Sequence, residues 1–167
     1  METIWQEISI GTAGWPEFAR ITFRMVVAAL LGAAIGYERE KAKKAAGLRT
    51  HALVTLGTCV FVLGGTGFGM NSDGLSRIIQ GITTGVGFIG AGSILKLNNE
   101  RDIRGITTSA GIWMASAIGV AAGLGEIGLA VVATVVGLIV LAVVRTRDDN
   151  GDYEEDTDGN EKQGTRA

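Results

Sequence analysis

Few side chains in this 167-residue chain could do chemistry, and most of them crowd one stretch. "GYEREKAKKAAGLRTHALVTLG", residues 36 to 57, sets Glu38, Arg39, Glu40, Lys41, Lys43, Lys44, Arg49, Thr50 and His51 between runs with almost no charge. A smaller set follows in "RGITT", with Arg104, Thr107 and Thr108. Carboxylates, guanidiniums, hydroxyls and the N-termini of two helices could hold an anion, or could close ion pairs among themselves with Arg49 or Arg104 gripping Glu38 or Glu40. The ion-pair reading is preferred, because charges leaving water need partners. A helical continuation of the preceding span would also pair Glu38 with Lys41 and Glu40 with Lys44, after which Gly47 lets the chain turn and Thr50 caps the next helix.

His51 is the sole histidine, and an interfacial imidazole could sense pH near neutrality. No carboxylate is fixed beside it by spacing, so it is read as a polar residue at a helix end. Cys59 is the only cysteine and lies in an apolar run, which excludes an internal disulfide and points to a small packing residue. No nucleophile, base and carboxylate stand at catalytic spacing, and no His, Cys, Asp or Glu cluster suits a metal. The chain is therefore read as no enzyme, with no catalytic residues, no metal, no cofactor and no nucleic-acid partner. "GVGFIG", Gly85 to Gly90, matches a dinucleotide fingerprint but sits mid-way along an uncharged run, where glycines serve packing. Glu154, Asp156, Asp158 and Gly159 evoke a calcium loop, yet Thr165 stands where the closing glutamate belongs.

The elements that position these residues follow from how charge is distributed. No Asp, Glu, Lys or Arg occurs from Thr50 to Ser72, Ile78 to Leu95, Gly105 to Gly125, or Ile127 to Val144. Each run reaches or nears the ~20 residues that a helix needs to cross hydrocarbon. A fifth span, Phe18 to Tyr37, is less clean because it holds Arg20 and Arg24, whose long stems could lift their guanidiniums to the headgroups. The expected fold is an all-α, polytopic bundle of about five membrane-spanning helices.

Basic residues gather in alternate connectors: Arg39 to Arg49, then Lys96 to Arg104, then Arg145 and Arg147. By the positive-inside rule these face the cytoplasm, which puts the C-terminus inside and residues 1–17 outside the cell. The organisation read from this is an N-terminal segment, 1–17, a transmembrane domain, 18–147, and a disordered acidic tail, 148–167. That tail carries 2 basic against 8 acidic residues and has almost nothing apolar to bury.

Helices in lipid associate where small residues recur every four positions. Thr107, Gly111, Ala115, Gly119 and Gly123 form the longest such stripe. Ala28, Gly32 and Gly36 form another, and Gly81, Gly85, Gly87, Gly90 and Gly92 crowd a third helix. All are expected to pack helices together.

Taken together, "GYERE…GLRTHALVTLG", "GVGFIGAGSIL" and "RGITTSAGIWMASAIGVAAGLG" resemble the MgtC/SapB family of bacterial and archaeal membrane proteins, from about Phe18 to Val144. The family-like positions are Glu38, Arg39, Glu40, Gly47, Leu48, Arg49 and Thr50, then Gly85, Gly87, Phe88, Gly90, Ala91 and Gly92, then Arg104, Gly105, Thr107, Thr108 and Trp113. The resemblance implies a plasma-membrane protein linked to growth under low magnesium through effects on other membrane proteins. The virulence-associated member carries a soluble domain after its last helix, whereas this chain has the acidic tail and is closer to the short, SapB-like form. Expected partners are membrane lipids and other membrane proteins or a second copy. The alternative is a transporter or channel for an ion or small solute.

Overall fold

The computed structural model describes residues 14–96 and 103–143. The order is α1 (Trp15–Lys41), α2 (Leu48–Gly67), α3 (Ser72–Gly92), a two-residue antiparallel pairing of β1 (Leu95–Lys96) with β2 (Ile103–Arg104), α4 (Ile106–Leu124) and α5 (Ile127–Val143). The tail 148–167 and residues 1–13 lie outside the described residues. The large side chains of Phe23, Leu30, Leu53, Phe61, Phe88, Leu129, Val132 and Ile139 are exposed, while the core is built from Ala28, Cys59, Val62, Ala115, Ile118 and Ala122. That inside-out arrangement suits lipid as the solvent, with every helix closing its own backbone bonds.

By length and composition α1, α2 and α4 can cross a membrane. The 21 residues of α3 are diluted by glycine, threonine and glutamine, and α5 is a shorter apolar helix of 17 residues, about 26 Å at the helical rise. The span judged least clean is thus the longest apolar helix, at 27 residues. Its arginines explain how. Arg20 pairs with Glu17 one turn away, and Arg24 reaches sideways instead of up to the headgroups: its Nη1 donates to the carbonyl of Gly123 at 3.0 Å. A guanidinium at the C-terminal end of α4 meets carbonyls that have no helical partner.

Glycine sets the distance between α1, α2 and α4. A methyl on Gly36 would lie 2.5 Å from Leu48 Cα, one on Gly32 would lie 2.6 Å from the carbonyl oxygen of His51, and one on Gly123 would lie 2.8 Å from Val62 Cβ. At Gly119 it would run into the Thr58 hydroxyl and the Thr55 carbonyl. Thr58 Oγ1, freed by that glycine, donates across to the Ser116 carbonyl at 3.2 Å. On α3 only Gly90 is used this way, against Ser109 of α4. Gly81, Gly85, Gly87 and Gly92 have nothing within 4 Å of an added Cβ and are exposed, so the packing expected of them within the chain is corrected. The physical reason is that α3 packs on α2 and α4 along the edge carrying Ile78, Ile82, Val86 and Gly90, positions four apart, and leaves the opposite face uncovered.

Three helices end in the same way. After α2 and α4 the chain turns through Gly69 (φ 67°) and Gly125 (φ 90°), with paired carbonyl closures of 3.0–3.1 Å behind each. After α1 the left-handed residue is Lys43 (φ 54°), whose N–H donates to Glu40 while that of Lys44 donates to Arg39. This is a Schellman ending with lysine where glycine costs least. Lys43→Gly should therefore raise stability by about 1 kcal/mol, read as a higher melting temperature of the purified protein in detergent.

Candidate functional site

The connector between α1 and α2 assembles most of the polar cluster. Arg39 lies in the last turn of α1 and is 2% exposed. Its Nε donates to Glu38 Oε2 at 2.6 Å and its Nη2 to Glu38 Oε1 at 3.0 Å, a two-pronged pair between neighbours. The expected Glu38 to Lys41 and Glu40 to Lys44 pairs do not form. Glu40 is occupied instead by α2: its Oε2 accepts the backbone N–H of Leu48 at 3.1 Å, placing a carboxylate on the positive end of that helix.

Two further corrections follow from this. Gly47, not Thr50, is the N-cap of α2, and Thr50 is the third helical residue. Nor is Gly47 the left-handed turn, which falls on Lys43; it is small because a Cβ there would sit 2.8 Å from Glu40 Oε2. Arg49 is exposed and closes no ion pair with a described residue, and Thr107 is exposed as well. Arg104 is described only by its backbone, opposite Leu95. Among the residues described, the buried guanidinium at this end is Arg39, held by Glu38, rather than Arg49, which is exposed. Thr108 is buried at 3% on the α4 side.

His51 is fully buried one turn into α2. Its Nδ1 lies 2.9 Å from the Gly47 carbonyl, which also accepts the His51 backbone N–H at 3.2 Å. A carbonyl only accepts, so Nδ1 carries a proton, and in the neutral imidazole Nε2 is a bare lone pair. Nε2 is the buried side-chain nitrogen or oxygen without a hydrogen-bond partner among the described residues. Leaving such an acceptor unmet costs about 1–3 kcal/mol. Sequence reasoning placed His51 at a helix end but had no means to see its burial, which depends on Gly32 and Gly111 coming close from two other helices.

Nε2 faces Gly111. A methyl added to Gly111 would lie 3.2 Å from it, with no other atom of another helix within 4 Å. Gly111 also lines a cavity of about 260 Å³ between α1, α4 and α5, together with Ile35, Thr107, Ala110, Met114, Val136, Gly137, Val140 and Leu141. Ile35 and Gly111 are buried, forming its floor, whereas Thr107, Ala110, Val136 and Val140 are exposed at its mouth. No sequence signal marks this cavity, since its lining comes from ordinary apolar positions on three helices.

The MgtC family model matches residues 25–149. The chain is 42% identical over 132 residues to the "Putative magnesium transporter YhiD" of Escherichia coli K12, covering 75% of this chain and 60% of that protein. It is 37% identical over 138 residues to protein SrpB of Synechococcus elongatus, covering 75% of each, and 40% identical over 121 residues to protein MgtC of Salmonella typhimurium, covering 72% of this chain and 51% of that protein. The chain thus spans 60% of the length of YhiD and about half of MgtC. No solved structure matches the chain.

Proposed function

The chain belongs to the MgtC family, and from that premise we propose that it is a non-enzymatic regulator of magnesium-linked ion homeostasis in the plasma membrane, acting through contacts with other membrane proteins. Residues 18–147 are the working unit, and the C-terminus faces the cytoplasm. The observation that carries the reading is the uncovered face of α3. Gly81, Gly85 and Gly92 are open, and Thr84 and Phe88 are exposed beside them. In lipid, small residues left uncovered on one helix are what a second helix packs against.

The name of YhiD points to magnesium transport, and chemistry weighs against that route here. Magnesium is held by oxygens with several retained waters. The charge-free interiors of these helices offer no carboxylate, and the cavity is lined almost wholly by carbon. A photo-crosslinking residue at Gly85 should yield adducts with another membrane protein in native membranes, while one at Val132 on α5 should yield lipid adducts only. Lipid alone at both positions, or magnesium flux from purified protein in liposomes, would reverse the assignment.

A further inference from the structure

The cavity between α1, α4 and α5 carries a second proposal, independent of the uncovered α3 face. We propose that it takes one acyl chain of an anionic phospholipid, whose headgroup lies at the end of the bundle that carries the basic connector after α1.

The cavity exists because α5 approaches the bundle closely along only part of its length. Ala130 and Thr134, at 0% and 4% exposure, seat its first half against the core. About one turn further on, a Cβ added to Gly137 would find its nearest neighbours, Met114 and Ile35, 3.8–3.9 Å away. Val136 and Val140 of α5 and Ala110 of α4 are exposed at the mouth, while Ile35 and Gly111 are buried at the floor. The mouth thus lies between two apolar helices, and in a membrane it opens sideways into hydrocarbon.

Three features select the occupant. First, Thr107 is the only lining residue whose side chain carries a hydroxyl, amide or charge, so water or an ion would find almost nothing to bind. Second, the size suits a chain and not a protein segment. About 260 Å³ is the space of roughly nine waters or about as many methylenes, whereas a helix is about 10 Å across. Third, the position suits a chain that has just left its headgroup. Thr107 is the second residue of α4, and Leu141 lies two before the end of α5 at Val143. That is the end of the bundle where α1 closes on α2, since Gly111 of α4 comes to His51 and Gly36 of α1 comes to Leu48. Lys41, Lys43, Lys44 and Arg49 are exposed there, and none closes an ion pair with a described residue. Cations gathered at headgroup level favour a lipid of net negative charge.

The test is thermal melting of the purified full chain in a steroid-based detergent, which has no straight chain to offer the cavity. Phosphatidylglycerol should raise the melting temperature of the parent by about 5 °C, and phosphatidylcholine with the same chains by less than half as much. Gly137→Leu extends a side chain into the space from a Cβ that makes only ordinary contacts. It should melt higher than the parent without lipid and gain less than half as much from phosphatidylglycerol. Native mass spectrometry should find phosphatidylglycerol retained by the parent under conditions that strip it from Gly137→Leu. Lys41→Gln/Lys44→Gln, at two exposed positions, should keep the lipid-free melting temperature and lose at least half of the phosphatidylglycerol gain. An equal gain in Gly137→Leu and the parent overturns the proposal, as does protection by phosphatidylcholine or by a headless alkane equal to that by phosphatidylglycerol. Should Gly137→Leu fail to fold, an undiminished gain in the lysine variant overturns it.

Discussion

Gly119→Leu is expected to remove folded protein from the membrane, and Gly119→Ala to cost about 1–3 kcal/mol, the range for overpacking a close contact. The site offers no way to yield. A Cβ at Gly119 meets the Thr58 hydroxyl and the main-chain carbonyl of Thr55, and neither is the tip of a flexible side chain. The Thr58 hydroxyl has one proton to share among three carbonyls within reach, Val54 at 3.0 Å and Thr55 at 3.1 Å on its own helix and Ser116 at 3.2 Å on α4. Moving α4 outward for one methyl would stretch the Ser116 bond and open the contact at Gly123 one turn away. Leucine would separate the two helices outright. Gly85→Leu is the control: nothing lies within 4 Å of a Cβ there, so yield and melting temperature should stay as in the parent, although the partner contact proposed for α3 should be lost. Detergent-solubilised yield and thermal melting of the three variants check the set.

That contrast shows what was legible in the sequence. The stripe Gly111, Ala115, Gly119 and Gly123 reads as a contact face because four-residue spacing returns to one side of a helix, and α2 does lie on that side. Ala28, Gly32 and Gly36 of α1 read the same way, and they meet α2 from its other flank. Spacing says which residues share a side, but not whether a neighbour comes to it. For α3 the same kind of pattern faces outward, because the helix packs on α2 and α4 by the one edge that carries Ile78, Ile82, Val86 and Gly90. Arg24 was misjudged for a related reason. Hydropathy treats a guanidinium in a span as a cost to be lifted out, whereas the end of α4, 99 residues on, supplies the carbonyl that keeps it.

The polar connector was legible in kind and not in detail. Its composition announced ion pairs and helix ends, and both are there. Which carboxylate met which donor was decided by Gly36, where α1 approaches Leu48 so closely that Glu40 reaches the start of α2 before any lysine can claim it. Lys43 taking the left-handed turn is a further consequence, since the tight return leaves the residue three after Glu40 no other conformation that closes both carbonyls. A single sequence carries no sign of either.

The second large effect is expected at the buried pair. Glu38→Gln should destabilise the protein by about 3 kcal/mol, the lower end of the range for breaking a buried ion pair, because the Glu38 side chain keeps 16% of its exposure. The Arg39 side chain keeps 3%, so its guanidinium would stay buried and charged with half its pairing removed. Arg39→Met is expected to cost less, about 1–2 kcal/mol, since the Glu38 carboxylate left alone can turn to its exposed side. The double variant Glu38→Gln/Arg39→Met leaves no orphaned charge and should recover to within about 1 kcal/mol of the parent. Chemical denaturation of the four proteins in mixed micelles gives the cycle. Additive losses would mean that the two residues act separately and that the pair is not what holds the end of α1 against α2; a double variant more stable than Glu38→Gln alone would establish that the connector's buried charge is tolerated only because its partner is fixed beside it.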